Sequence, residues 1–159
     1  MNFKNSFFAI AMLVASVGSA FAVDLSSAQA AYDKGDYESA FKQFLSLAEE
    51  GNALAQSSTG VMYDMGHGAA KDYDKAVEWY SKSAEQGNQF GQFNLGTMYY
   101  MGTGVTKDVL TACKWFALAT RQGNGQARIH MHICEKYLSE AQMVEFNRQA
   151  DEFAAQHKN

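Results

Sequence analysis

The chain has 159 residues, with 13 Lys+Arg against 17 Asp+Glu, no proline and two cysteines. That length suits one domain with a serviceable core, and 47% hydrophobic with 19% charged residues excludes a disordered tail or a multispanning membrane protein. A net charge of −4 without a run of Lys or Arg lacks the basic footprint that a sequence-independent nucleic-acid binder needs.

The N-terminus reads as an export signal. Lys4 precedes an apolar run from Phe7 to Val17, then Gly18-Ser19 and the small-x-small triplet Ala20-Phe21-Ala22. The run is far shorter than the roughly 20 residues of a membrane-spanning helix, which favours a cleaved signal over an uncleaved anchor. Cleavage is expected after Ala22, leaving a domain of residues 23–159 with no stable membrane span. No cysteine stands at the cleavage point, which argues against a lipid anchor. Export would place Cys113 and Cys134 in an oxidising compartment.

The remainder repeats with a period of 36 residues. Ala48–Asp72 laid over Ala84–Asp108 gives 13 identities in 25 positions. The step persists in Gly51, Gly87 and Gly123, each followed by asparagine, and in Asp36, Asp72 and Asp108. Ala40, Ala76 and Ala112 keep it too, as do the rings of Phe44, Tyr80 and Phe116. A period of this length marks a stacked repeat architecture.

In chain order, a short first helix is expected from about Leu25 to Lys34, then three units at about 28–63, 64–99 and 100–135. Each unit reads as two helices. Asp36, Asp72 and Asp108 sit at N-cap positions, and Val77, Tyr80 and Ala84 form one helical stripe. Gly87-Asn88 supplies the left-handed residue that ends the helix. A further helix runs from about Gln89 to Met101 and stops at Gly102-Thr103-Gly104, a break already present at Gly66-His67-Gly68. Strand signals are absent. Helix Gly125–Tyr137 departs from the pattern, with His132 in place of glycine and Glu135 in place of tyrosine. Ser139-Glu140-Ala141-Gln142 then forms a capping box, opening a terminal helix over about 139–157. Its stripe of Met143, Phe146, Ala150 and Phe153 is suited to closing the open end. The expected fold is all-α, an α/α superhelix (solenoid) of antiparallel helix pairs with a C-terminal capping helix.

The stretch A-x3-LG-x-MYY-x-G-x-GV-x-KD-x3-A-x2-WF, read from Gly91 to Phe116 with Gly91 in the first alanine position, resembles the Sel1-like repeat, a relative of the tetratricopeptide repeat. The resemblance covers Ala28 to Tyr137, with Trp79 and Trp115 in register. Thr59 departs by replacing leucine, and Ala70 and Thr106 by replacing proline. The resemblance implies a scaffold for proteins, peptides or envelope polymers.

Ser39-Ala40-Phe41-Lys42 fits the S-x-x-K pattern of serine β-lactamases, and some cysteine-rich members of the resembled family were described as weak penicillin-binding proteins. The companion S-D-N and K-T-G patterns are missing, and Ser39 adjoins a packing alanine, so no catalytic residue is assigned. A weak β-lactam or peptidoglycan-directed hydrolase remains the alternative from the enzyme class. His130-Met131-His132-Ile133-Cys134 looks like a metal cluster. Residues two apart on a helix point about 200° from each other, however, so His132 cannot converge with His130 and Cys134. His67 has no obvious partner in sequence. Neither a metal nor a cofactor is expected.

Cys113 and Cys134 lie almost equally far on either side of Gly123, at one height on adjacent antiparallel helices. This favours a disulfide, worth about 3 kcal/mol in the chain-entropy model, over two separately buried thiols. Trp79, Trp115, Tyr63 and Tyr99 recur in register and read as packing between repeats.

A binding surface is sought where units vary. In the middle unit the inward set is Gly91, Leu95, Met98 and Tyr99; the opposite positions are Phe93, Thr97 and Tyr100. Their counterparts are Ser57, Val61 and Asp64 before and Ile129, Ile133 and Lys136 after. Phe93 and Tyr100 would be aromatic anchors, and Gln56, Gln89 and Gln92 could contact a partner's backbone. The alternative is that half of these pack against the next helix. The resulting expectation is a non-catalytic exported module, periplasmic or secreted, that binds an envelope or secreted protein or peptide as a monomer or with weak self-association. A structural subunit of an envelope assembly is the second alternative.

Overall fold

Asp36, Asp72 and Asp108 each begin a helix, and their spacing sets the architecture. The computed structural model describes residues 24–157; the expected signal, residues 1–22, lies outside them. The described residues form eight helices: α1 (Leu25–Asp33), α2 (Tyr37–Glu49), α3 (Ala53–Met65), α4 (Tyr73–Glu85), α5 (Gln89–Met101), α6 (Val109–Arg121), α7 (Gly125–Tyr137) and α8 (Glu140–Gln156). Helices α2 to α7 are each 13 residues long and start in two interleaved 36-residue series.

The carboxylates of Asp36, Asp72 and Asp108 accept from the backbone N–H of Ser39, of Lys75, and of Leu110 and Thr111. These are donors that a helix start leaves unpaired. Asn52, Asn88 and Asn124 do the same for α3, α5 and α7. The glycine-asparagine pair therefore ends one helix and caps the next, and the sequence reading had assigned it only the first role. Gly68 combines a φ of +73° with close backbone approach, since a methyl group there would meet the Tyr37 carbonyl oxygen. That contact fixes the α3–α4 loop against α2.

Helices α1 to α7 each pack on their neighbours in sequence, α8 packs on α6, and α3 also packs on α5 more closely than α4 does on α6. Helices α3, α5 and α7 thus form one row, called the inner row for the approach of α3 to α5, and α2, α4 and α6 form the outer row. Ala40, Ala76 and Ala112 are fully buried, and Phe44, Tyr80 and Phe116 fill the space between units. Gly60 and Gly96 bring a backbone flush against Tyr80 and Phe116. The equivalent residue of α7, His132, is exposed, because the next helix, α8, packs on α6 and not on α7.

Cys113 and Cys134 form a disulfide between α6 and α7, with Cα atoms 5.8 Å apart and both residues buried. Ser139 and Gln142 make the expected capping box of α8. That helix does not continue the stack but lies back on α6: Phe146 and Ala150 are buried, Phe153 meets Trp115 edge-on at 5.2 Å, and Asp151 pairs with Arg121 at 2.7 Å. A connection of only Leu138 and Ser139 is too short to carry α8 to the place a further unit would give it.

Candidate binding face on the inner helices

Four of the residues selected from sequence are buried and leave the proposed strip. Gln56 and Gln92 are 5% and 1% exposed because their amides are used inside the stack. Gln56 Nε2 donates to the Ala48 carbonyl at 3.1 Å and its Oε1 accepts from Gln86 at 2.7 Å. One unit later Gln92 donates to the Ala84 carbonyl at 3.3 Å and accepts from Gln122 at 2.7 Å. This ladder satisfies helix-end carbonyls that would otherwise lie unpaired between repeats. Ser57 is covered at 3% exposure, and Ile133, at 4%, packs in a cluster with Ala112 and Phe116.

The others reach the surface to different degrees. Phe93 is half-buried, its ring 5.9 Å from Phe116 and edge-on to His130 at 5.2 Å. Thr97 donates its hydroxyl to the Phe93 carbonyl at 3.0 Å. Val61 is half-buried against the central cluster. Gln89 is half-buried, and its carbonyl accepts from Asn124 at 3.3 Å. Asp64 is half-buried beside Tyr80, whose phenol is pushed up first by burial and then by the Asp64 carboxylate. Tyr100 is half-buried, whereas Ile129 and Lys136 are exposed.

The structure also exposes large apolar residues that the sequence reading passed over. Phe90 and Met101 of α5 are 49% and 65% exposed, Leu54 and Met65 of α3 are 41% and 58%, and Tyr137 of α7 is 53%. Within α5, Phe90, Asn94, Thr97 and Met101 recur at helical spacing and form one stripe; Leu54, Ser58, Val61 and Met65 form its counterpart on α3. The signal was available, since Leu54 and Phe90, and Met65, Met101 and Tyr137, stand 36 apart. The 65/101/137 position keeps a large apolar body in all three units, and the 54/90 position in two, with Gln126 third. Helix α5 contains no charged residue and α3 only Asp64.

The chemical candidates are engaged elsewhere. Ser39 Oγ accepts from Gln43 at 3.0 Å and Lys42 pairs with Glu38 at 2.7 Å, so the serine and lysine of the S-x-x-K pattern do not meet. His130 Nδ1 lies 2.9 Å from the Gln126 carbonyl, His132 faces the Ile129 carbonyl, and Cys134 is consumed by the disulfide. His67 does have partners: it stacks on Tyr37 at 4.1 Å, with Nδ1 3.2 Å from the Tyr32 hydroxyl. Trp115 is buried and Trp79 half-buried, with the Lys82 ammonium 4.1 Å from the Trp79 ring.

The Sel1 repeat family model matches residues 53–88 and 89–124, so that α3–α4 and α5–α6 are the family's units. A protective antigen present in uropathogenic Escherichia coli strains, displaying an SLR fold, superposes with a TM-score of 0.78 at 26% identity, over 83% of this chain and 29% of that one. A Sel1 repeat protein from Oxalobacter formigenes gives 0.67 at 31% identity, over 82% and 56%. Helicobacter pylori cysteine rich protein B gives 0.59 at 26% identity, over 66% and 80%. The chain thus spans less than two thirds of the first two proteins. A sequence search of curated proteins returns no match.

Proposed function

We propose that this chain, a Sel1 repeat protein, is a non-catalytic envelope scaffold, exported with cleavage after Ala22, whose inner helices bind an exported or envelope protein. The observation that carries this reading is the exposed row of Leu54, Met65, Phe90 and Met101 on two adjacent helices that hold one charge between them. Single exposed apolar residues are ordinary; a row in register across helices is the pattern of an interaction surface. Methionine and phenylalanine suit that role, one adaptable and the other a large anchor. Export is supported by the disulfide, a bond that persists in oxidising compartments. The description of the E. coli relative as a protective antigen supports the same side of the membrane.

A photoreactive side chain at Met101, crosslinked in living cells, tests the reading. The expected result is one dominant protein adduct, lost when Phe90 becomes Asp. Adducts from Glu78 on the outer row and none from Met101 reject this face.

A further inference from the structure

At the loop end of the inner face, the repeat register shows a carboxylate removed and a cation added. Positions 64, 100 and 136 are equivalent, and they hold Asp64, Tyr100 and Lys136. In the first unit Lys71 stands over the Tyr73 ring, 4.8 Å from its centroid, and has the Asp64 carboxylate within electrostatic reach as a smaller influence. One unit on, where Tyr100 replaces the carboxylate, Lys107 stands over the Tyr100 ring, 5.3 Å from its centroid, and Lys136 lies 5.0 Å from the Tyr137 centroid. Neither lysine forms an ion pair among the described residues, although Lys42, Lys75 and Lys82 each do. The Tyr137 phenol is held below the ordinary tyrosine range, first by the Lys136 ammonium donating to it, then by the Tyr100 hydroxyl and the Lys107 charge. Two Lys–Tyr pairs therefore stand at the loop end of the face, Lys107 over Tyr100 at the end of α5 and Lys136 beside Tyr137 at the end of α7, with the exposed Met101 adjoining Tyr100.

We infer that Lys107, Lys136, Tyr100 and Tyr137 form a carboxylate-binding end to the inner face, and that the occupant is a protein segment with an acidic residue beside apolar ones. The inference rests on the α3–α5 face being the binding surface. Two ammonium groups and two phenols match a carboxylate in charge and hydrogen bonding, and Met101 and Thr97 continue from them along an uncharged helix. At the opposite edge Glu49, Glu50 and Glu85 end α2 and α4, whereas the loop end carries Lys107 and Lys136 without an ion pair among the described residues. The stripe from Phe90 to Met101 rises about 16 Å, which about five residues of extended chain would span.

The test is selection of random displayed peptides, about ten residues long, against the whole protein, against a Lys107→Glu/Lys136→Glu variant, and against Phe90→Asp. Retained thermal melting shows that the variants are folded. Wild type is expected to enrich peptides joining Asp or Glu to apolar residues, and the double variant to keep the apolar preference while losing the acidic one. A selected peptide should bind about tenfold more weakly when its acidic residue becomes the amide, at low ionic strength. Apolar enrichment without acidic preference overturns the inference and leaves the binding face standing. Enrichment that survives Phe90→Asp unchanged removes the face itself, and the inference with it. Dimerisation of the chain abolished by the Lys107→Glu/Lys136→Glu change assigns the cluster to a second copy and also overturns it.

Discussion

The Phe116 ring lies against the backbone of Gly96: a methyl group there would stand 2.8 Å from the ring and 3.2 Å from the Ala112 carbonyl oxygen. Tyr80 meets Gly60 in the same way one unit earlier, at 2.6 Å. Alanine is the better helix former by about 1 kcal/mol, so a roomy site would gain from it. Here the ring is fully buried and the carbonyl belongs to a helix, and neither can yield. Gly96→Ala is expected to lose about 1 kcal/mol or more in denaturant unfolding, and Phe116→Leu in that background to recover part of the loss by coupling. A Gly96→Ala protein more stable than wild type would show that the units are not held by this contact.

Thr59 occupies the register position of Leu95, is fully buried, and its hydroxyl finds no hydrogen-bond partner among the described residues. A buried unpaired hydroxyl costs about 1–3 kcal/mol. Valine keeps the β-branched shape without the polar atom, so Thr59→Val is expected to stabilise by about 1 kcal/mol. Thermal unfolding reads the sign directly; a lower melting temperature refutes it.

The period, the aspartate caps, the reversals and the disulfide were legible because each depends on spacing along the chain or across one turn. The binding face was only partly legible because exposure depends on the helix across the gap. Gln56 reads as a free amide until Gln86, on the neighbouring helix, is seen to donate to it. Phe93 and Ser57 occupy one register position, yet Phe93 is half-buried against Phe116 and His130 while Ser57 is covered. His67 gave no local sign of Tyr32 and Tyr37, which the α3–α4 loop reaches only by folding back over α2. The stripe of α8 marks it as the closing helix, but it does not reveal that a two-residue link lays it on α6 rather than continuing the alternation of rows.

The Cys113–Cys134 bond secures α7, a helix on which α8 does not pack closely. Its closed loop corresponds to about 3 kcal/mol of chain entropy. The paired Cys113→Ala/Cys134→Ala protein is expected to unfold at correspondingly lower denaturant. Adding reductant should bring wild type down to about the same midpoint and leave the double variant unmoved. A wild-type midpoint insensitive to full reduction contradicts this account.

Asp108 separates capping from titration. Burial alone would raise its carboxyl, but the Thr111 hydroxyl at 2.6 Å and the backbone N–H groups of Thr111 and Leu110 outweigh that, and it sits below the usual aspartate range. The unfolded chain therefore binds the proton more readily than the folded one. The stabilisation is complete above the unfolded value of about 3.9 and is lost as pH falls through the lower folded value. Asparagine supplies the same capping oxygen without a titratable proton. At neutral pH Asp108→Asn is expected within about 0.5 kcal/mol of wild type, and Asp108→Ala about 1 kcal/mol below it. Below about pH 4 the wild-type curve should fall more steeply than that of Asp108→Asn. Stability measured against pH on the three proteins checks this, and parallel acid limbs for wild type and Asp108→Asn would remove Asp108 from the acid transition.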